Sequence, residues 1–275
     1  MCDACDTVKL DRRGLMKLAG FGLAATALAS SAQASDPAPK KADGHGADAH
    51  AADAHAAEAP APKAKAAAHA EASSPMSPDK ALAKLKEGNK RFIADANACA
   101  ADLVSRREEL AGGQHPWAIV LTCSDSRVTP ELVFGGTTLG ELFVIRNAGN
   151  VLDTGALGTI EYGAEHLHAP LIVVMGHKKC GAVSAACDVV KAGTKLPGSI
   201  GKMVEPILPV ALATLYKSED FVGQTILENA RSGAARIMEE SPMVAHLVHE
   251  GKVKIVPAVY DISTGEVEFY KPVMS

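Results

Sequence analysis

The chain has 275 residues, 47% of them hydrophobic and 22% charged, with a formal net charge of −4. That length and apolar content allow a sizeable core in one or two domains. The slight acidic excess gives no basis for nucleic acid as a partner, whose phosphates demand a basic surface.

In chain order, the first segment reads as an export signal. Arg12 and Arg13 open DRRGLMKLAG, a weakly apolar stretch runs from Leu18 to Ala29, and Ala32-Gln33-Ala34 offers a small-x-small cleavage pattern. Residues 1–34 are therefore expected to be a signal peptide, cut after Ala34. The paired arginines point to the twin-arginine route and to the periplasm. The apolar stretch is well short of the roughly 20 residues that cross a bilayer, so no membrane span is expected in the mature chain. Cys2 and Cys5 form a C-x-x-C that would leave with the signal.

Residues 35–75 are rich in alanine, proline, lysine and acidic residues, and residues 1–75 hold no tryptophan or tyrosine. Such a segment cannot bury enough apolar surface to offset the entropy of ordering, and a disordered linker is predicted. His45, His50, His55 and His69 offer at most weak metal binding there.

From residue 76 to 275 the sequence reads as one α/β domain. Ser77-Pro78 is a cap followed by proline at the first helical position, and Leu82, Leu85, Phe92 and Ile93 recur at helical spacing, which predicts a helix over 78–95. Three apolar runs follow, Trp117–Thr122, Leu142–Arg146 and Leu171–Gly176, suited to strands buried on both faces of a parallel sheet. Gly155–Leu167 lies between the second and third with helical periodicity, completing a β-α-β unit with a right-handed crossover. Val222, Ile226, Ala230, Ala234 and Ile237 form the stripe of a later helix, and Ser241-Pro242 starts another. Lys252–Tyr260 and Glu266–Tyr270 read as closing strands around a Ser263-Thr264-Gly265 turn. The expected fold is a central, mostly parallel β-sheet with flanking helices.

Cys123 follows WAIVLT, in CSDSR, while His177 and Cys180 follow LIVVMG, in H-K-K-C. Open parallel sheets build their sites at the carboxyl ends of strands, and both groups fall there. Two thiolates and an imidazole suit tetrahedral zinc and disfavour magnesium or calcium. If residues 177–180 begin a helix, the i, i+3 spacing puts both ligands on one face. Cys187 lies seven residues past Cys180, about 10 Å further along a helix, and Cys99 has no partner pattern. Both read as buried thiols. Three ligands leave one position open, the mark of a catalytic rather than structural zinc.

A Cys123–Cys180 disulfide would leave His177 and the polar cluster unexplained, and a phosphatase nucleophile lacks the phosphate loop. Asp125 and Arg127, beside Cys123, suit a charge-assisted bidentate pair. Held back, Asp125 can accept the proton of the zinc-generated hydroxide in a hydrogen bond and aim the oxygen lone pair at substrate; released, it can swing onto the metal as a fourth ligand in a closed state.

Gln114-x-Pro116, Cys123-Ser-Asp-Ser-Arg127, Arg146-Asn-Ala-Gly149 and His177-x-x-Cys180-Gly181 together resemble the β-class carbonic anhydrases, over the length from about Pro78 to Ser275. The resemblance implies one zinc per subunit on Cys123, His177 and Cys180, and an Asp125–Arg127 dyad. It also implies a hydrogen bond from Gln114 to substrate or bicarbonate, and reversible hydration of carbon dioxide by zinc-generated hydroxide. Family active sites lie at dimer interfaces, with the N-terminal helix across the partner, so a homodimer or homotetramer is expected. Two rivals are weighed against this: hydrolysis of carbonyl sulfide or carbon disulfide on the same scaffold, and a zinc carrier that uses the histidine-bearing linker.

Overall fold

The apolar runs assemble into one five-stranded sheet, seen in a computed structural model that describes residues 76–95 and 103–273. The predicted signal, the linker and Cys99 lie outside those residues. The chain enters through α1 (Pro78–Ala94) and α2 (Leu103–Leu110), followed by β1 (Ala118–Cys123), α3 (Pro130–Val133) and β2 (Leu142–Asn147). Next come α4 (Thr154–Glu165), β3 (Leu171–His177), α5 (Gly181–Ala192), α6 (Ile200–Val204) and α7 (Leu208–Thr214). The chain then runs through α8 (Phe221–Glu240), α9 (Pro242–His249), β4 (Lys254–Tyr260) and β5 (Val267–Phe269).

Strand order is β2-β1-β3-β4-β5; the first four run parallel and β5 is antiparallel to β4. Every residue of β1 and β3 is buried, as continuous apolar runs between two helical layers should be. Alternate side chains feed the two layers. Ile119, Leu121, Ile172 and Val174 pack with Ile160 of α4, Ala230, Ala234 and Ile237 of α8 and Val244 of α9. Val120, Val173 and Met175 face the other way, onto Ala81 and Leu85 of α1 and onto Val133 and Phe134.

One strand departs from expectation. β2 is the sheet edge, and its residues are half-buried or exposed rather than buried on both faces. Its apolar run has a strand neighbour on one side only, which sequence cannot distinguish from a central position.

The helix starts follow their caps. Ser77 Oγ accepts from Lys80 N–H, and Ser241 Oγ accepts from Val244 N–H. Helix α1 is fastened to its own chain through Asn89, which is 4% exposed. Its Nδ2 donates to the carbonyls of Val133 (3.0 Å) and Gly265 (2.8 Å), and its Oδ1 accepts from Val267 N–H (2.8 Å). Immediately before it in α1, Gly88 meets the segment after α3 so closely that a Cβ there would clash with the Phe134 carbonyl oxygen. No helix among the described residues is long and apolar enough to cross a membrane.

Candidate metal centre

β1 and β3 are parallel neighbours, so their carboxyl ends bring separate parts of the chain together. Cys123 is the last residue of β1 and His177 the last of β3. Residues 177–180 do not begin a helix. Lys178 and Lys179 form a tight turn in which Lys179 adopts φ 60°, and Cys180 is the N-cap of α5. The turn is anchored to the next strand, because Lys178 N–H donates to the Tyr260 carbonyl at 2.8 Å and Lys178 Nζ to Asp261 Oδ2 at 2.8 Å.

Cys123, His177 and Cys180 are buried, and their donor atoms lie within 4.8 Å of one another. The two sulfurs, both free thiols, are 4.0 Å apart. Ligand sulfurs about 2.3 Å from a tetrahedral ion would be spaced about 3.8 Å apart, so the pair has the right separation to share one. His177 Nδ1 is 2.9 Å from the Lys178 carbonyl oxygen. A carbonyl only accepts, so Nδ1 carries the hydrogen and Nε2 keeps its lone pair. That Nε2 is buried with no hydrogen-bond partner. A buried orphan nitrogen is costly unless something occupies its lone pair, and here it faces two sulfurs. The donor set fits zinc.

Electrostatics agree. The hydrogen bond from Cys180 pushes the Cys123 thiol down to about 4, against the opposing effect of burial and with help from His177 and the Gly149 N–H. Cys180, the other half of that bond, is pushed up by it and by burial. A dication between them would favour the thiolate form of both.

Asp125 is bound at both oxygens: Arg127 N–H (3.0 Å) and Nε (2.9 Å) donate to Oδ1, and Arg127 Nη2 (2.7 Å) to Oδ2. Those hydrogen bonds hold its carboxyl well below the usual range despite partial burial. Oδ2 is 3.9 Å from His177 Nε2, beside the donor set but outside it.

Arg146 and Gly149, whose parts the sequence leaves open, both support the site. Arg146 donates from Nε to the Cys123 carbonyl (3.2 Å) and from Nη2 to the Asp125 carbonyl (2.7 Å), fixing the backbone of the CSDSR loop. Gly149 N–H points at Cys123 Sγ, 3.3 Å away. Cys187 is buried as expected and takes no part, its thiol donating to Thr225 Oγ1 at 3.4 Å.

Gln114 is not brought to the site within one chain. It is exposed on the loop before β1, beside Arg107, Leu139 and Gly140, at the amino end of the strand whose carboxyl end carries Cys123. Roughly 17 Å of strand separate the two ends.

A family model described as carbonic anhydrase matches residues 118–267, a span that holds all three donor residues. Carbonic anhydrase 2 of Mycobacterium tuberculosis is 36% identical over 189 residues, covering 69% of this chain and 91% of the relative. The solved β-carbonic anhydrase CcaA is 29% identical with a TM-score of 0.54, covering 69% of this chain and 95% of that one. The chain belongs to the β-carbonic anhydrase family. A Coccomyxa β-carbonic anhydrase, solved in complex with acetazolamide, is similar to the same extent: 28% identity and a TM-score of 0.55, over 70% of this chain and 87% of that one. The resemblance read from the four motifs and the α/β fold are thereby borne out. As a carbonic anhydrase, the chain is an enzyme whose family reaction is hydration of carbon dioxide.

Proposed function

We propose that this enzyme interconverts carbon dioxide and bicarbonate at one zinc ion per subunit, held by Cys123, His177 and Cys180, with Asp125 and Arg127 completing the catalytic group. The observation that carries this reading is the convergence of three buried donors within 4.8 Å, one of them the unpartnered Nε2 of His177. Zinc in such a site supplies a hydroxide nucleophile at neutral pH.

The protein's part is to hold and aim. Asp125, kept ionised by Arg127, can only accept hydrogen bonds, and its Oδ2 lies beside the donor set, so it accepts a hydrogen bond from the attacking oxygen and turns a lone pair toward substrate. Letting go of Arg127 would free Asp125 to close the site as a fourth ligand. Val151, Val183 and Val259 cluster with the two cysteines and supply the apolar wall suited to a substrate with no hydrogen to donate.

The half-buried edge strand β2 and the placement of Gln114 favour an oligomer, a homodimer or a homotetramer built from it. Gln114 of the partner subunit would then serve a site that its own chain cannot reach. Arg12-Arg13 and Ala32-Gln33-Ala34 support export to the periplasm, giving a mature chain that starts at Ser35.

Stopped-flow hydration of carbon dioxide, run with metal analysis, tests the reading. The wild type should turn over and carry stoichiometric zinc, whereas Cys123→Ser should lose both. Release of sulfide from carbonyl sulfide or carbon disulfide without hydration would favour the hydrolase instead. Deleting residues 35–75 should leave hydration and stoichiometric zinc in place, whereas a carrier that relies on that segment would lose its zinc. Mass spectrometry of the periplasmic fraction should find the cut after Ala34.

A further inference from the structure

The Cys123 sulfur is connected to helix α8 through a single glycine. Gly149 N–H donates to Cys123 Sγ at 3.3 Å, and the Gly149 carbonyl accepts from Asn229 Nδ2 at 2.9 Å. Asn229 lies on α8 and is 7% exposed. Gly149 is left-handed, at φ 74° and ψ 19°, and Asn150 after it is left-handed too, at φ 46°. A non-glycine residue held in that region costs of order 1 kcal/mol and persists only where surrounding contacts determine it.

The turn is also pressed against its neighbours. A Cβ on Gly149 would stand 2.7 Å from Ile207 Cδ1 and 3.1 Å from Ala182 Cβ. Asn147 Nδ2 closes the turn from within by donating to the Val151 carbonyl at 2.7 Å. Asn229 holds it from outside, at the residue whose N–H meets the sulfur.

We propose that Asn229 is a positioning residue for the metal centre: by fixing the Gly149 carbonyl it aims the Gly149 N–H at Cys123 Sγ. The inference rests on the three-ligand reading of the site. A hydrogen bond to a thiolate draws electron density from the sulfur, so the ion it binds stays a stronger Lewis acid. The same bond also sets the direction of the sulfur lone pairs before metal arrives. Asn229 acts through one residue: the Cα of Gly149 joins the peptide whose carbonyl it holds to the peptide whose N–H meets the sulfur.

The test uses the purified full chain, loaded with zinc and, separately, with cobalt(II) as a spectroscopic probe. Asn229→Leu keeps the volume and removes the donor; Asn229→Ala is a second variant should the first fail to fold. Ile237→Val, on the same helix but away from Gly149, controls for general loosening of α8. The expected result for either Asn229 variant is a 10- to 100-fold weaker zinc affinity by chelator competition. The cobalt–thiolate charge-transfer band should also move to longer wavelength, because an unbonded sulfur gives up an electron more readily. Ile237→Val should leave band and affinity in place. A band and affinity unchanged in the Asn229 variants, or moved as far by Ile237→Val, would overturn the proposal while leaving the metal site intact. A wild type with no thiolate band and no zinc would overturn the three-ligand reading, and this proposal with it.

Discussion

Asp125 sits where a carboxylate can do two things, and Arg127 selects between them. With both oxygens engaged at 2.7 to 3.0 Å, the carboxylate cannot also close over the donor set. Replacing Asp125 by alanine removes a hydrogen-bond acceptor but no member of the ligand set, so zinc should stay stoichiometric while kcat falls by about 10²- to 10⁴-fold. Metal analysis beside stopped-flow hydration separates the two effects; zinc lost together with activity would make Asp125 a ligand rather than an acceptor. Residues of this kind were legible because their chemistry is carried by side chains in a short motif, Cys123-Ser-Asp-Ser-Arg127. The Gly149 N–H was not legible. A backbone donor has no residue type of its own, and only the left-handed turn gives it a direction.

At the level of elements, buried strands and capped helices could be read from composition, while turns and edges could not. The H-K-K-C segment admits a helical reading because lysine favours helices. Its left-handed Lys179 is imposed by the hydrogen bond of Lys178 to β4, a strand that follows far along the chain. β2 looked like a central strand because an apolar run carries no mark of which neighbour is missing.

The joint between α1 and the start of β1 shows how such long-range contacts can be tested. Glu141, just before β2, accepts from Lys84 Nζ of α1 (2.7 Å), Trp117 Nε1 (3.2 Å) and Thr138 N–H (2.8 Å). Burial works against its charge, but the Lys84 and Thr138 donors outweigh it and the carboxyl is held below its ordinary value. A carboxyl lowered in the folded state adds stability that is complete above its unfolded value, about 4.3, and disappears as pH falls through the folded one. Glu141→Gln should therefore lose about 1–2 kcal/mol at pH 7. The difference from wild type should shrink as pH drops below about 4. Urea unfolding at both pH values checks this, and a gap that stayed constant would mean the charge contributes nothing.

For the whole molecule, the position of Gln114 decides how many chains make a site. In sequence it stands nine residues from Cys123 and looks like a neighbour; in the fold a buried strand lies between them. If Gln114 contacts substrate, it does so in another copy of the chain, and complementation should show it. Gln114→Ala alone should lose about tenfold in kcat/KM, the worth of one hydrogen bond. Cys123→Ser alone should be inactive. Now let the two variants be co-expressed with different tags and the mixed dimer purified. With Gln114 acting across the interface, one site of the mixed dimer has lost both residues and the other has every group intact, so activity should approach half that of wild type. With Gln114 acting within its own chain, one site lacks zinc and the other lacks the glutamine, and activity would be about a twentieth. Because both variants carry an unaltered β2 edge, either result bears on where the glutamine works rather than on whether the chains assemble.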